Sequence, residues 1–468
     1  MADIYLIYGR EDEALAAAVF ERLRVRWTVW WDRMVKQRFV DEIAEELGRA
    51  RCVVVLWSER SRVKDTVVDE VKLAQRRGPT IVSVSLDGAE PAYGFGGYST
   101  TGLSGWDGSE EHPAYAALFA RLVSILPSPE PPARPHALAG TVLPLPTLFL
   151  SVSSFETQLV PAGAVKALAL ARAPAILVSA WDLVPRRGPD ALLAALQDYR
   201  ATGGCILLDS GNYEATRLST RHWRVDDLKH VLTSAPHDLA FAFDRFEPTR
   251  AARRTAEKIA ATAERDSAFT TAPLMPVVHV PRLSGGGYLV DILPEVAFRV
   301  AETLGPVMIG VPERELGAGI AQRVATMQAI RSVLDGLPFY QPIHLLGTGN
   351  PWTVAIMAAA GADSFDGLEW CRVVVDHQTD QLNHFQHFDL FTDQTAFADL
   401  MVAREALNDD GVDFAGKVAF HNADYFLRFD QQLRDAVGRR SLEAFVTGKL
   451  GRAAAEKLER VTKGLFGR

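Results

Sequence analysis

The chain has 468 residues, 48% hydrophobic and 23% charged, which is too long for one ordinary core and excludes a disordered or fibrous protein. Its net charge of −8 gives no global reason for nucleic-acid binding, and Cys52, Cys205 and Cys371 lie too far apart for a disulfide scaffold or a cysteine zinc site. MADIYLIYGRED lacks the basic and apolar regions of a signal peptide, and no apolar run reaches the ~18 residues of a membrane span, so a cytoplasmic location without membrane partners is expected.

In chain order, strands are expected at Ile4–Tyr8, Trp27–Trp31, Cys52–Trp57 and Thr80–Leu86. Helical spacing falls at Glu13–Leu23, Val40–Ala50, Val63–Arg76 and His112–Leu126, with a glycine-rich irregular stretch at Gly94–Gly108. Strands of almost unbroken apolar character separated by helices indicate a parallel sheet covered on both faces, an α/β flavodoxin-like sandwich over 1–126. Residues 127–146 read as an interdomain linker; Pro127–Thr147 holds seven prolines, a density that favours extended backbone. Eight further strands follow, at Leu148–Ser153, Ala175–Ala180, Cys205–Asp209, Leu239–Phe243, Met275–Val280, Val307–Val311, Ile343–Gly347 and Ser364–Leu368. Helical patterns between them make 147–375 a (β/α)8 TIM barrel. The remainder, 376–468, reads as a helical extension ending in a basic segment, with eight Lys/Arg against three Asp/Glu from Arg439 to Arg468.

DIYLIYGRED, WTVWWD, ARCVVVLWSERS and VVDEVKLA, in that order, resemble bacterial TIR domains over residues 3 to about 90. The resemblance implies NAD+ as substrate, self-association through TIR domains, and a catalytic acid on the helix after the third strand, which maps onto Glu70. Breaking the nicotinamide glycosidic bond passes through an oxocarbenium-like ribose, and a carboxylate stabilises that charge. Tyr8, Gly9 and Arg10 end the first strand, where a parallel sheet opens its ligand crevice. Trp31 and Asp32 enter the loop that flanks the nucleotide in that family. The family's usual tryptophan four residues before the acid is here Thr66.

Reading the strand ends of the barrel, where this fold places its chemistry, gives Asp209, Asp244, His279, Glu313, Gly347 with Gly349, and Asp366 with Glu369. For Glu313 and Glu369 a solvated loop carboxylate is the expectation. CILLDSGNYE, HLLGTGNPW and GADSFDGLEWCR resemble segments of the tRNA-guanine transglycosylases. That resemblance implies Asp366 as nucleophile on the ribose carbon, Asp209 in proton handling and Asp244 on the base edge. A nucleobase, deazapurine or nucleic acid is the implied ligand. The chain departs from the family in reading Asn212 and Glu214 where a glycine and a glutamine stand, and in lacking the zinc-binding cysteines, so no metal is expected.

His377, His384 and His387 fit no common zinc spacing, and Gly285–Gly287 after the fifth strand read as an ordinary loop. Three functions follow as expectations. One is a prokaryotic anti-phage effector whose TIR domain consumes or cyclises NAD+ under control of the barrel. The second is a base-exchanging or base-releasing enzyme with its site in the barrel and the TIR domain as an oligomerising scaffold. The third, which Thr66 favours, is a non-enzymatic TIR adaptor whose assembly alone recruits a partner.

Overall fold

Apolar, β-branched runs become central strands because their side chains are buried on both faces. In the computed structural model Cys52–Trp57 is buried at every position and lies inside a five-stranded parallel sheet. The described residues are all except 1, 25, 32–45, 110–111, 127–131, 221, 386–393, 463 and 467–468. They form two units, Met1–Pro132 and Ala133–Arg468.

In the first unit the strands are β1 (Ile4–Ile7), β2 (Val29–Trp30), β3 (Cys52–Trp57), β4 (Thr80–Ser85) and β5 (Thr100–Gly102), in the order β2-β1-β3-β4-β5. The period of two divides their side chains between two layers. Ile4, Leu6, Val54, Leu56, Val82 and Val84 meet Val19 and Leu118, from helices Glu13–Leu23 and Pro113–Ile125. Tyr5, Ile7, Val53 and Val55 meet Val67 and Val71 of helix Asp65–Arg77. The glycine-rich stretch read as irregular supplies β5, hydrogen-bonded to β4 and too short to show a pattern. Of the helix expected over Val40–Ala50, only 46–49 falls within the described residues and is helical.

The second unit is a parallel sheet of β6 (Thr147–Val152), β7 (Ala175–Ser179), β8 (Cys205–Asp209), β9 (Leu239–Phe241), β10 (Leu274–Met275), β11 (Ile309–Pro312), β12 (Ile343–Leu346) and β13 (Ser364–Gly367). It runs β10-β9-β8-β7-β6-β13-β12-β11 and nearly closes as an α/β barrel. The seam between β10 and β11 is bridged where Val278 N–H donates to Gly310 O at 2.7 Å and Gly310 N–H to Pro276 O at 2.9 Å. β10 is shorter than the expected Met275–Val280 because Pro276 has no N–H to give the ladder. Gly310 permits that seam: a Cβ there would meet the Phe241 ring at 2.7 Å.

Phe149, Leu177, Leu207, Phe241 and Met275 fill the barrel interior. Leu138, Leu143 and Leu145 join them, on a small hairpin in which Leu138 N–H donates to Leu143 O at 2.8 Å and Leu145 N–H to His136 O at 2.9 Å. The later part of the proline-dense stretch is therefore barrel core rather than connector. The final helix of the barrel ring is Phe414–Gly438, which packs on β6 and on helix Pro161–Leu170. Asp430 Oδ1 accepts from Leu148 N–H at 3.0 Å, and Asn422 Oδ1 from Val375 N–H at 3.0 Å.

Candidate functional site

The first unit gathers its polar residues where β1 and β3 end. Gly9 is in close approach to the turn at Ser61–Val63: a Cβ on Gly9 would meet Ser61 Cβ at 2.8 Å. Ser61 Oγ donates to Leu56 O at 3.1 Å, and Ser58 Oγ donates to Asp12 Oδ2 at 2.6 Å. Asp12, Ser58 and Ser61 thus tie together the ends of β1 and β3; they lie within the motifs DIYLIYGRED and ARCVVVLWSERS, which do not mark them apart from their neighbours.

Glu70 lies on helix Asp65–Arg77, three residues after Val67 and four before Ala74, on the flank of the buried face, and is half-buried. Thr66 is exposed. Tyr8 is half-buried and Arg10 exposed. Trp31 is only 6% exposed; its ring stacks on Phe20 at 4.8 Å and tilts against Tyr8 at 5.4 Å. It belongs to the core layer on one face of the sheet, whereas the Glu70 helix covers the other. Asp32 lies outside the described residues, as does His387.

In the barrel, Asp209, Asp244, His279, Glu313, Gly347 and Asp366 come together in one cavity of about 360 Å³ at the C-terminal ends of the strands. That volume suits a small organic ligand. Gly349 lies just behind the cavity wall, against Glu369. In the barrel interior the His344 ring packs with its centroid 5.8 Å from that of Phe149 and 5.4 Å from that of Phe241.

One side carries a charged chain. Ser210 Oγ donates to Asp244 Oδ1 at 2.6 Å, and His279 Nε2 is 3.0 Å from Asp244 Oδ2. His279 Nδ1 is 2.8 Å from Glu315 Oε1, while Val280 N–H donates to Glu315 Oε2 at 2.9 Å. Burial opposes a charge on His279, but the carboxylates on both ring nitrogens override it and hold the imidazole up at about 10, a cation at neutral pH. Burial likewise pushes Asp244 up, yet His279 and Ser210 leave it below the usual carboxylate range.

The other side is arranged differently. Burial, together with Glu214, Asp244 and Asp366, raises Asp209 well above an ordinary carboxyl. Burial also raises Glu214, against the hydrogen bond that Ser153 Oγ donates at 2.6 Å, and raises Glu369 against the attraction of Arg372. The Asp366 carboxylate takes Ser151 Oγ–H at 2.9 Å and Gly347 N–H at 2.8 Å, and its Oδ1 is 3.2 Å from His344 Nε2. Gly347 turns there with φ +75, which suits glycine.

Glu313 and Glu369 are not solvated loop carboxylates. Glu313 pairs with Arg323 in the cavity wall, and Glu369 Oε2 is buried against Gly349 and Gly367 with no hydrogen-bond partner among the described residues. Glu315, Ser151, Ser153, Ser210 and His344 were not singled out by the sequence. Glu315 lies two residues beyond the strand-end acid Glu313, on a 3-10 turn whose geometry no period reveals.

Both units thus gather polar side chains at the carboxyl ends of parallel strands, one in an α/β sandwich and one in a TIM-type α/β barrel. Residues 4–122 match the family model for the TIR domain and constitute a TIR domain. No curated protein matches the chain. Among the described residues no group of His, Cys, Asp and Glu is placed to hold a metal, and no helix is long and apolar enough to cross a membrane.

Proposed function

We propose that the TIR domain cleaves NAD+ at the nicotinamide glycosidic bond, hydrolysing or cyclising it as an anti-phage effector, and that the barrel cavity regulates it by binding a nucleobase-containing ligand. Glu70 stabilises the developing positive charge of the ribose, and TIR–TIR assembly completes the site. Supporting the regulatory half is one observation above all: two carboxyls held in opposite directions face one cavity. Burial biases Asp209 toward its protonated, donating form, while His279 and Ser210 bias Asp244 toward the accepting carboxylate. Such a pair suits a purine edge, which offers an acceptor beside N–H donors.

The test is NAD+ consumption by concentrated protein, wild type beside Glu70→Gln, with and without guanine, a 7-deazapurine and RNA. Loss in wild type that depends on a barrel ligand and vanishes in the variant is expected. NAD+ left intact under every condition sinks the reading.

The three donors around Asp366 favour a second reading, in which the barrel itself exchanges or releases a base. Asp366 would attack the ribose carbon and Asp209 would protonate the leaving base. Asp366→Ala then abolishes base release from a nucleoside or RNA while sparing any NAD+ loss.

A further inference from the structure

Outside the cavity mouth, two arginines from distant parts of the chain converge on one acid. Arg217 ends the short helix Asn212–Arg217 after β8, and Arg372 ends the turn Glu369–Arg372 after β13. Between them lies Glu156, on the loop after β6. Arg372 Nη1 is 3.4 Å from Glu156 Oε2, Arg217 Nη2 is 3.9 Å from Oε1, and Tyr213 O–H donates to Oε2 at 3.1 Å. Glu156 reaches this position with φ +55, a left-handed conformation that non-glycine residues seldom adopt.

Three facts make this arrangement look like a held place rather than a structural ion pair. Its ion-pair distances are loose, since a well-formed guanidinium–carboxylate pair closes to roughly 2.7–2.9 Å. Two positive charges face one carboxylate there, and the other acid near Arg372, Glu369 at 3.6 Å, turns its second oxygen inward against Gly349 and Gly367 and is raised by burial. Both arginines also line two spaces at once, the deep acidic cavity and an outer groove with Thr157, Gln158 and His384.

Resting on the reading that the cavity holds a base, we propose that Arg217 and Arg372 are a phosphate subsite and that Glu156 occupies it in the unliganded protein. The ligand is then a phosphorylated nucleoside, its base in the acidic cavity and its phosphoryl group displacing the Glu156 carboxylate. The chemistry fits: a phosphoryl group offers more oxygens and more charge than a carboxylate, and arginine engages it bidentately. An acidic cavity with a basic mouth also orients such a ligand, because the reverse pose sets phosphate against the Asp244 and Asp366 carboxylates.

Calorimetric titration of the full chain with guanosine and with guanosine 5′-monophosphate tests this. The monophosphate should bind at least about tenfold more tightly, an advantage of charge-assisted contacts. Arg217→Ala and Arg372→Ala should each bring the ratio of monophosphate to guanosine affinity toward one, whatever they do to guanosine itself. Glu156→Gln should tighten the monophosphate alone, whereas a residue that merely anchored its loop would, when changed, weaken both. Equal affinity for the two ligands, with guanosine binding, overturns the phosphate subsite and leaves the base reading intact. Binding of neither overturns both. A short single-stranded RNA tells the sources apart: tighter binding than the monophosphate assigns the subsite to a nucleotide within a strand, and equal or weaker binding to a free nucleotide.

Discussion

In the TIR domain Glu70 stands half-buried on the flank of a surface helix, beside the exposed Thr66. In the barrel, Asp244 and Asp366 sit at the mouth of a nearly closed sheet, and serine, histidine and backbone donors fix their oxygens. The barrel cavity is organised by one unit of one chain. In the TIR domain Gly9, Asp12, Ser58 and Ser61 tie the ends of β1 and β3, while the proposed acid is carried on a separate helix. Such a difference fits the proposal of a fixed binding pocket in the barrel and a TIR site finished by assembly. On that proposal, ligand binding by the barrel should be robust to dilution and NAD+ cleavage should not.

The largest test of that contrast concerns rigidity. Arg331 is 4% exposed and donates to Asp363 Oδ2 at 2.8 Å and to the carbonyls of Gly361 and Gln341. Removing one partner of a buried pair costs about 3–5 kcal/mol, so Arg331→Met should lower the barrel's unfolding midpoint sharply. Circular dichroism with limited proteolysis should show the TIR domain persisting after the barrel has melted. A single concerted loss of both would break the contrast.

Next comes Glu70→Gln, expected to slow NAD+ cleavage by about 10²–10³-fold, as loss of a charge-stabilising group does. On the proposal that assembly completes the site, wild-type specific activity should also climb with protein concentration; a flat dependence counts against it.

His279 gives a pH signature. Its folded value of about 10 lies above the ordinary 6.5, so its contribution to stability is complete below about 6.5 and is lost as pH rises through about 10. Denaturant unfolding of the barrel should therefore weaken between those values. His279→Gln should flatten that decline.

The smallest effect comes from Asp209, a carboxyl rather than an imidazole. Its value is raised, so folding favours its proton, and the stability it lends at low pH disappears as pH climbs through its folded value. An amide takes up no proton on folding, so Asp209→Asn should stabilise the barrel at neutral pH by about 1 kcal/mol, the scale of one neutral hydrogen bond. Destabilisation of similar size would mean that the carboxyl makes a contact the amide cannot copy.

Much of this was legible in the sequence. Uniformly apolar runs marked β3, β6, β7 and β8, because double burial leaves no polar alternation to misread. Strand-end acids led to Asp209, Asp244 and Asp366, since a closed parallel barrel brings those ends together whatever lies between. Other features were hidden for definite reasons. β10 loses its ladder at Pro276, and Glu315 reaches His279 across 36 positions that no local pattern links. Leu138, Leu143 and Leu145 stand among prolines that read as a connector, though their side chains fill the barrel floor. Trp31 stands in a motif that suggests ligand contact, and its ring is packed against Phe20.

The helix Phe414–Gly438 has a consequence in time. It meets β6 through the bond from Leu148 to Asp430, a span of 282 positions. At about 5–20 residues per second, a ribosome takes on the order of tens of seconds to cross that span. Through that interval the TIR domain, whose last strand and helix precede Pro132, is already outside the exit tunnel, while the barrel has an open seam and no finished cavity. Each nascent chain therefore carries its enzyme-like half before the half proposed to restrain it. On a polysome such halves are also crowded together, so a need for assembly could not by itself keep them quiet during synthesis.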